Sequence, residues 1–385
     1  MTWPTKKLKE IAEIYSGGKS GLTKQDYVEN GFPAFSAKGQ DGFTKKAYDS
    51  GFAVILSSIG SRCGKCFYTE GEWTALANTQ VIKFENPITA KFMYYYLNDE
   101  KKWPKSGTGQ PFISPSTVKN LIVPLPPLPI QQKIVKVLDT VQEVIEVQEK
   151  IIEKTKELKK SLMNLLFHYG VAGLRVKELM SSQVGKLKSS ELKKLGLKLK
   201  KTEIGEIPEH WEVVRLGEVV KLSNGIRPEF DGEGFFPVYG ANGIMGKSRN
   251  FLIDDDYVLI IGRVGASGEV HLASGKIWIS DNALYSEKVK KEKIYLPFLK
   301  EYLIWRNLKQ FADKSTHPII TQASLKTITI PLPPLPEQQK IAEILQTIDQ
   351  KIEIEKRKKE LYEELFKTML NKIMSQEIDI SLLDY

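Results

Sequence analysis

PLPPLPIQQKI spans Pro124 to Ile134, and PLPPLPEQQKI spans Pro331 to Ile341, so an eleven-residue phrase returns with one change 207 positions later. A proline-rich phrase can recur through composition alone, so the offset has to hold outside it. It does hold upstream, where GQPFIS at Gly109–Ser114 corresponds to THPIIT at Thr316–Thr321. The phrase is therefore part of a longer internal repeat.

The similarity continues toward the start of each half, with a drift of a few residues. Trp3 corresponds to Trp211, and FPAF at Phe32–Phe35 corresponds to FPVY at Phe236–Tyr239. A repeat of roughly 170 residues is too long for a solenoid and is typical of duplicated domains. The sequence predicts two diverged copies of one unit.

A long helix is predicted after each phrase. Pro129 and Pro336 can occupy a first helical turn but no position further inside a helix. Apolar residues then recur at alternating spacings of three and four, which is the pattern of a coiled-coil seam. The predicted seam consists of Ile134, Val137, Val141, Val144, Ile151, Leu158, Leu162 and Leu165 in the first helix, and of Ile341, Leu345, Ile348, Ile352, Tyr362, Phe366, Met369 and Ile373 in the second.

Each helix of about 38 residues would extend roughly 57 Å, more than a globular core requires. The economical arrangement pairs the two seams as an antiparallel coiled coil. The alternative is two separate helices, each lying on its own domain.

The remaining sequence predicts two globular domains rich in strands. Apolar runs such as Phe52–Leu56 and Tyr257–Ile261 are separated by glycines, as in strands joined by turns. Phe92–Leu97 and Pro297–Leu303 are typical of helices, and their aromatic residues are more typical of a core than of a base-stacking platform. The predicted fold class is α/β (α+β): two globular strand-rich domains joined by two long helices in an antiparallel coiled coil, with an internal pseudo-twofold repeat.

The predicted boundaries follow from these patterns. They are 1–127 for the first domain, 128–170 for the first helix, 171–204 for a basic linker, 205–334 for the second domain, and 335–385 for the second helix and a C-terminal tail.

Composition is that of a folded protein, since 41% of the 385 residues are hydrophobic and 10% are aromatic. The sequence contains no run of eighteen apolar residues and does not begin with the apolar stretch of a signal peptide, so a cytoplasmic protein is expected. The net charge of +9 suits a polyanionic partner.

That charge is unevenly distributed. Nine Lys or Arg residues and two Glu residues lie between Arg175 and Lys201, which accounts for +7 of the +9. A solvated linker between the copies is the more ordinary interpretation of this stretch, and a contact with the DNA backbone is the alternative.

Three motifs suggest chemistry that their context does not support. Cys63 and Cys66 form a CxxC without a second pair of metal ligands, and the other copy has no cysteine there. Ala241–Ser248 matches a relaxed phosphate-loop pattern, but a turn and a strand are predicted after it instead of a helix. Asp254–Asp256 is interpreted as a solvated turn, because the other copy has one acidic residue there. We find no activated nucleophile or acid and base pair, so the chain is predicted to be non-catalytic and to bind no metal.

The order of these elements strongly resembles the specificity subunit of type I restriction and modification systems, the HsdS family. The resemblance rests on PLPPLPxQQKI followed by a heptad helix in both copies, and on TEIGEIPEHWEVVRLG at Thr202–Gly217 as a domain entry. It covers essentially the whole chain. The strand-rich domains are variable in that family and match only loosely.

The resemblance implies that each domain recognises one half of a bipartite, asymmetric DNA sequence, and that the paired helices set the unread gap. It also implies two modification subunits as partners, which would carry the S-adenosylmethionine chemistry, and restriction subunits that join to form the nuclease. No cofactor is expected on this chain. Identical domains related by a twofold axis would demand a palindromic site, so divergence of the copies is expected.

Loop Arg, Lys, Asn, Gln and His side chains are the expected contacts with base edges and phosphates. The predicted DNA-binding residues are Lys19, Lys38, Gln40, Lys45, Arg62, Lys65, Lys105 and Gln110 in the first domain, and Arg227, Asn242, Lys247, Arg249, Arg263, Lys314 and His317 in the second. Each of them is about as well explained as an ordinary polar surface residue. A different class of function, a coiled-coil scaffold whose globular ends bind proteins, stays open at this point.

Overall fold

The computed structural model describes residues 3–107, 109–174, 198–228, 234–313 and 318–380. The chain forms two compact units, one made of Met1–Glu149 with Lys358–Tyr385 and the other of Lys150–Arg357. Most of the predicted basic linker, residues 175–197, lies outside the described residues.

The first unit contains domain 1 and parts of both long helices. Its strands are β1 (Thr5–Lys7), β2 (Glu13–Ser16), β3 (Phe32–Ser36), β4 (Gly39–Thr44), β5 (Asp49–Ser50), β6 (Phe52–Ser57), β7 (Cys66–Thr69), β8 (Glu72–Ala75), β9 (Thr79–Phe84) and β10 (Ile122–Pro124); its helices are α1 (Pro87–Leu97), α2 (Pro115–Asn120) and the first part of α3 (Leu128–Tyr169). The sheets have the orders β2-β9-β6-β7, β4-β3-β8-β5 and β1-β10. Asn86 caps α1 by accepting hydrogen bonds from the amides of Ile88 and Thr89, and Pro87 follows as its first residue.

The second unit contains domain 2 with the same topology. Its strands are β11 (Leu199–Thr202), β12 (Gly205–Pro208), β13 (Glu212–Arg215), β14 (Val220–Asn224), β15 (Phe236–Gly240), β16 (Gly243–Ser248), β17 (Ile253–Gly262), β18 (Val270–Ile279), β19 (Ala283–Val289) and β20 (Thr329–Leu332); its helices are α4 (Leu216–Val219), α5 (Leu296–Arg306), α6 (Gln322–Lys326) and the first part of α7 (Leu335–Met374). The main sheet has the order β14-β19-β17-β18-β15-β16.

Strand order shows the repeat directly. β18 pairs with β17 and with β15 as one continuous strand, whereas β7 and β8 divide the same pairings in domain 1. The predicted strands at Phe52–Leu56 and Tyr257–Ile261 are confirmed as parts of β6 and β17. Asp254–Asp256 belongs to β17, so the prediction of a turn there was wrong. The three carboxylates lie at the more solvent-exposed end of this long strand.

The repeated phrase forms the same joint in each unit. β10 pairs with β1 and β20 pairs with β13, so the proline run leaves a two-stranded sheet before its helix begins. The buried side-chain amide of Gln131 donates to the carbonyl of Pro126 at 2.7 Å, and that of Gln338 donates to the carbonyl of Pro333 at 2.8 Å. A proline cannot donate a backbone hydrogen bond, but its carbonyl still needs a donor when buried. The first glutamine of each QQK supplies this donor and fixes the angle at which the helix begins.

The one changed residue of the phrase, Ile130 against Glu337, has different partners in the two units. Glu337 Oε2 lies 2.8 Å from Nε2 of His210 and accepts a hydrogen bond from the indole of Trp211 at 2.9 Å. Its Oε1 accepts from the backbone amide of Val171, just beyond α3, at 3.2 Å. Ile130 instead packs with the apolar core of domain 1. We call the contacts of Glu337 with His210, Trp211 and Val171 the Glu337 clasp.

The two long helices pair in antiparallel fashion, as predicted. In the first unit Ile134 and Leu138 of α3 share a core with Ile373 of α7. In the second unit Leu162 and Leu166 of α3 share a core with Ile341 and Leu345 of α7. The beginning of each helix therefore packs with the end of the other. The aromatic residues of α1 and α5 are likewise core residues, since Phe92, Tyr95, Phe298 and Tyr302 are buried.

The predicted seam of α7 matches its buried and half-buried positions, but three of the eight predicted seam positions of α3 were wrong. Val144, Ile151 and Leu158 are 38%, 38% and 37% exposed. The positions one residue later face inward: Ile145 and Ile152 are 8% and 6% exposed, and Lys159 is half-buried. Seam positions therefore fall at Ile134, Leu138, Val141, Ile145, Gln148, Ile152, Thr155, Lys159, Leu162 and Leu166, and the predicted Val137 and Leu165 are buried beside this seam.

A charged seam residue is tolerated in the second unit because it has partners. Lys159 Nζ lies 2.8 Å from Oε2 of Glu301, whose side chain is fully buried, and 2.7 Å from Oδ2 of Asp349. Lys300 Nζ contacts the other oxygen of Glu301 at 2.5 Å. Burial by itself would lower the pKa of Lys159, but Glu301 and Asp349 outweigh it, and the pKa lies above the ordinary value. This ion cluster joins α3 and α7 to helix α5 of domain 2.

No helix among the described residues is both long enough and apolar enough to cross a membrane.

Candidate nucleic-acid interface

In domain 1 three loops meet after the ends of β6, β8 and α1. The amide of Ser58 donates to the carbonyl of Asn78 at 3.0 Å, and the amide of Ile113 donates to the carbonyl of Ser58 at 2.9 Å. The amide of Gly60 donates to the carbonyl of Pro111 at 3.0 Å. We call this meeting point of residues 58–60, 78 and 111–113 the loop junction of domain 1.

Domain 2 has the same loop junction, at residues 263–267, 282 and 318–320. The amide of Arg263 donates to the carbonyl of Asn282 at 2.9 Å, and the amide of Ile320 donates to the carbonyl of Arg263 at 3.1 Å. Ser58 and Arg263 thus occupy one position in the repeat and make the same two backbone contacts. Because main-chain hydrogen bonds determine the path of these loops, their side chains can differ without changing the frame.

A β-hairpin lies against each loop junction. The hairpins β3–β4 and β15–β16 have a bulge at the same place, between Ala34 and Phe35 in one and between Val238 and Tyr239 in the other. Gly243 has a φ of 95° at the turn, which a residue with a side chain rarely adopts. Each tip is a short turn on a two-stranded ribbon, a shape that the major groove of DNA admits.

Each tip is attached to its loop junction by close contacts. In domain 1 the guanidinium of Arg62 donates to the carbonyl of Lys38 at 2.9 Å. In domain 2 a β-carbon at Gly262 would lie 2.7 Å from the carbonyl oxygen of Ala241, so only glycine permits this approach.

Four predicted DNA-binding residues of domain 1 lie together on this surface. Lys38 and Gln40 are on the hairpin tip, Arg62 follows the junction, and the side chain of Gln110 lies near Gly60. Their amide, ammonium and guanidinium donors suit base edges and phosphates.

The other four predicted residues of domain 1 are less available or lie elsewhere. Lys65 and Lys105 both approach Glu100, at 3.9 and 3.3 Å, which offsets part of their charge. Lys19 lies 3.6 Å from the centre of the Tyr15 ring. Lys45 is exposed directly after the far end of β4 and so is not at the hairpin tip.

In domain 2 the structure brings Asn242 and Arg263 together at the tip and the loop junction. Exposed Arg227 lies on the neighbouring segment, where the amide of Ile226 donates to the carbonyl of Ile279 at 2.9 Å. Lys247 and Arg249 are exposed toward and beyond the far end of β16, like Lys45 in domain 1. The remaining two predictions, at 314 and 317, fall outside the described residues.

One carboxylate braces the tip of domain 1. Asp41 accepts hydrogen bonds from the hydroxyls of Tyr27 and Ser36 at 2.6 and 2.7 Å, and it pairs with the ammonium group of Lys24. Burial by itself would raise the pKa of Asp41, but these donors outweigh it and hold the pKa below the ordinary value. Gly42 is required beside it, because a β-carbon there would lie 2.0 Å from the Tyr27 ring.

Sequence reasoning missed the apolar side chains at the tip of domain 2. Ile244 and Met245 are 64% and 48% exposed and correspond to Gln40 and Asp41, 204 positions earlier. A search restricted to polar residues could not find them. The offset of the repeat is the signal that would have done so.

Neither cysteine is available at this surface. Cys63 and Cys66 are free and buried, and burial raises the pKa of both thiols. Across the ranges that the structure describes, no group of three or more His, Cys, Asp or Glu residues is placed to hold a metal ion.

The fold and these surfaces define a class of protein in which a duplicated domain, suited to recognising DNA, is carried on an antiparallel pair of helices. The family model for the type I restriction modification DNA specificity domain matches residues 1–159 and 208–364. The chain belongs to this family and is a DNA sequence-recognition protein.

Individual relatives agree with this assignment. The MjaVIII specificity subunit of a type I restriction enzyme from Methanocaldococcus jannaschii is 27% identical over 426 aligned positions, covering 100% of this chain and 94% of the relative. The EcoDI specificity subunit of Escherichia coli is 25% identical over 367 positions, covering 88% and 79%. A crystal structure of a type I restriction-modification S subunit from M. genitalium has the same fold, with a TM-score of 0.64, 20% identity, and coverage of 97% and 96%.

Proposed function

We propose that this chain is the specificity subunit of a type I restriction-modification complex, in which each domain recognises one half of a bipartite, asymmetric DNA sequence. The observation that carries this proposal is the pair of loop junctions. Ser58 and Arg263 make the same backbone contacts but offer a hydroxyl in one domain and a guanidinium in the other. One frame with two sets of side chains suits two different half-sites, whereas identical domains would demand a palindrome.

The paired helices have a second surface that supports docking of modification subunits. Val144 and Val147 in the first unit, and Ile151 and Leu158 in the second, are exposed along α3 at spacings of three, four and seven residues. Ile354, Leu361 and Leu365 are exposed along α7 at spacings of seven and four. Apolar side chains at these spacings lie on one face of a helix and suit packing against another amphipathic helix. We assign these two faces to helices of two modification subunits.

We further propose that α3 and α7 set the length of the unread gap between the half-sites. In the complex, S-adenosylmethionine would bind the modification subunits, and this chain would have no catalytic role. Restriction subunits would complete the nuclease. The complex would act in the cytoplasm, where its DNA substrate is accessible. A coiled-coil scaffold that binds only proteins is not favoured by membership of the family.

A selection from random duplex DNA tests the proposal. The chain, copurified with its modification subunit, is incubated with the library at one fixed moderate salt concentration, because non-specific electrostatic attraction to the DNA phosphates weakens steeply as the salt concentration rises. We expect two dissimilar short motifs at a constant spacing. Exchanging residues 205–334 for the second domain of another specificity subunit that has His and Trp at the positions of His210 and Trp211 should change one motif only. A well-formed complex that enriches no motif would contradict the proposal.

A further inference from the structure

The hairpin tip of domain 2 differs in chemistry from the tip of domain 1. Ile244 and Met245 are both prominently exposed there. At the same positions of domain 1, Gln40 is polar and Asp41 is held by Tyr27 and Ser36. Large apolar side chains that are exposed together at a loop tip are a feature of binding sites.

The tip lies where three segments of domain 2 meet, around the buried Ser280. A β-carbon at Gly225 would lie 2.1 Å from the carbonyl oxygen of Ser280, so the segment before Arg227 is in close contact with it. A β-carbon at Gly240 would lie 2.7 Å from the sulfur of Met245 and 3.7 Å from the hydroxyl of Ser280. The backbone amide of Ser280 also donates to the carbonyl of Tyr239 at 2.8 Å. Met245 therefore lies next to Gly240, close to where these three segments are in contact around Ser280.

Cationic side chains flank this apolar tip. Arg227 is exposed on one neighbouring segment, and Arg263 is half-exposed at the loop junction, where its guanidinium lies 3.5 Å from the carbonyl of Asp281. Guanidinium groups suit phosphates and guanine edges, but Ile244 and Met245 can neither donate a strong hydrogen bond nor accept one. A nucleic-acid group that fits them has to be apolar.

The C5-methyl group of thymine is the apolar feature of the base edges in the major groove. That groove admits a two-stranded β-ribbon, the form of β15–β16. We propose, on the basis of the proposed function, that Ile244 and Met245 contact the methyl group of a thymine in the half-site recognised by domain 2. They are specificity-determining residues, and domain 1 recognises its half-site at the same hairpin positions through polar contacts.

The test replaces thymine by deoxyuridine, which lacks only this methyl group. The half-site of domain 2 is the motif that changes when residues 205–334 are exchanged. Each thymine in both half-sites is replaced in turn, and the dissociation constant of the complex with the modification subunit is measured at fixed salt. We expect about a fourfold loss of affinity at one or two positions of the domain 2 half-site, as for the lost burial of one methyl group.

The Ile244→Ala/Met245→Ala double variant makes the test specific. It should bind thymine and deoxyuridine equally at the sensitive position, whereas the control Gln40→Ala should keep the fourfold difference. Because both side chains are exposed, the double variant should still assemble with the modification subunit. Ile244→Gln, which imports the residue of domain 1, gives a second variant with a similar volume.

The outcomes separate this inference from the proposed function. Selective binding in which no thymine methyl of this half-site matters, or in which the double variant keeps the difference, would overturn the inference alone. Weaker assembly of the double variant with unchanged DNA affinity would identify the tip as a protein contact and would also overturn it. Absence of any sequence-selective binding would refute both.

Discussion

Replacing Lys159 by methionine should be one of the most damaging single changes in the helix pair. The side chain of Glu301 is fully buried, and Lys159 Nζ lies 2.8 Å from it, so the change leaves a buried carboxylate with Lys300 as its remaining cationic partner among the described residues. Removing one partner of a buried pair costs about 3 to 5 kcal/mol. Because Lys300 remains, we expect Lys159→Met to lower the free energy of unfolding of the second unit by about 3 kcal/mol.

The double change should be milder than the single change. With Lys159→Met and Glu301→Met together, no buried charge is left without its partner at this site, and replacement by apolar groups of similar volume is about neutral in such cases. We expect the double variant to lose less than about 1 kcal/mol. The double variant should therefore be more stable than Lys159→Met alone by about 2 kcal/mol.

Amide hydrogen exchange at rising urea concentrations measures the loss locally, in the α5 segment (residues 296–306) for these variants and in the α1 segment (residues 87–97) for the control in the other unit. The matched control is Lys91→Met on α1. Lys91 is the fifth residue of α1, as Lys300 is of α5. Its pair with Asp139 at 2.7 Å leaves the two side chains 35% and 26% exposed, so a cost of about 1 kcal/mol or less is expected. A double variant as unstable as Lys159→Met, or a control that lost as much stability, would contradict the assigned role of the buried pair.

Three other changes test separate features. One heptad added at matching places in α3 and α7 lengthens each helix by about 10.5 Å, or roughly three base pairs, and should widen the gap between the selected motifs by that amount or abolish binding; an unchanged gap would contradict the proposed spacing role. Ile151→Glu should weaken binding of the modification subunit, measured by pull-down and calorimetry, while leaving helicity intact. Ile152→Glu, one residue later, should destabilise the helix pair by about 3 kcal/mol. Equal stabilities of the two variants would contradict the assignment of the two faces. Asp41 has a folded pKa below its ordinary value of 3.8, so its contribution to stability is present above that value and is lost as the pH falls through the folded pKa. The Asp41→Asn variant should therefore be less stable than the unchanged protein at pH 7, and its stability should depend less on pH in acid. Urea titrations from about pH 2 to about pH 7 measure this difference.

Repetition made most of the fold predictable. Two independent versions of the phrase, of the strand pattern and of the heptad pattern each limited the interpretation of the other, and the strands β6 and β17 and the helices α1 and α5 were all predicted from runs of apolar residues. The antiparallel pairing followed from having one long amphipathic helix in each copy.

The seam of α3 was harder to predict because adjacent residues are both apolar. Val144 and Ile145, like Ile151 and Ile152, fit a heptad pattern equally well in either register. Leu158 and Lys159 favoured the wrong register, because leucine is a more usual seam residue than lysine. The lysine occupies the seam because Glu301 and Asp349 are there to receive it, and a periodic pattern in one helix contains no information about those partners.

The candidate interface was predictable only in part for a related reason. Lys38, Arg62, Asn242 and Arg263 were predictable from their polar side chains. The frame that gathers them consists of backbone hydrogen bonds, which residue types do not reveal. Ser58 and Arg263 share a structural position although they share no chemistry, and the apolar tip of domain 2 was outside the search.

The Glu337 clasp has a consequence for how such a chain acquires a new specificity. Its acceptor lies in the second phrase, whereas two of its donors, His210 and Trp211, stand at the very start of domain 2. A transplanted segment that began upstream of these residues would preserve the clasp only if it carried the same His and Trp; otherwise Glu337 would lose these partners in the recipient. Segments bounded by Glu212 and Pro334 leave the clasp entirely in the recipient and bring only the variable part. Recombination at these borders can replace the DNA sequence that the domain recognises while the Glu337 clasp, which attaches the domain to the helices, is inherited unchanged.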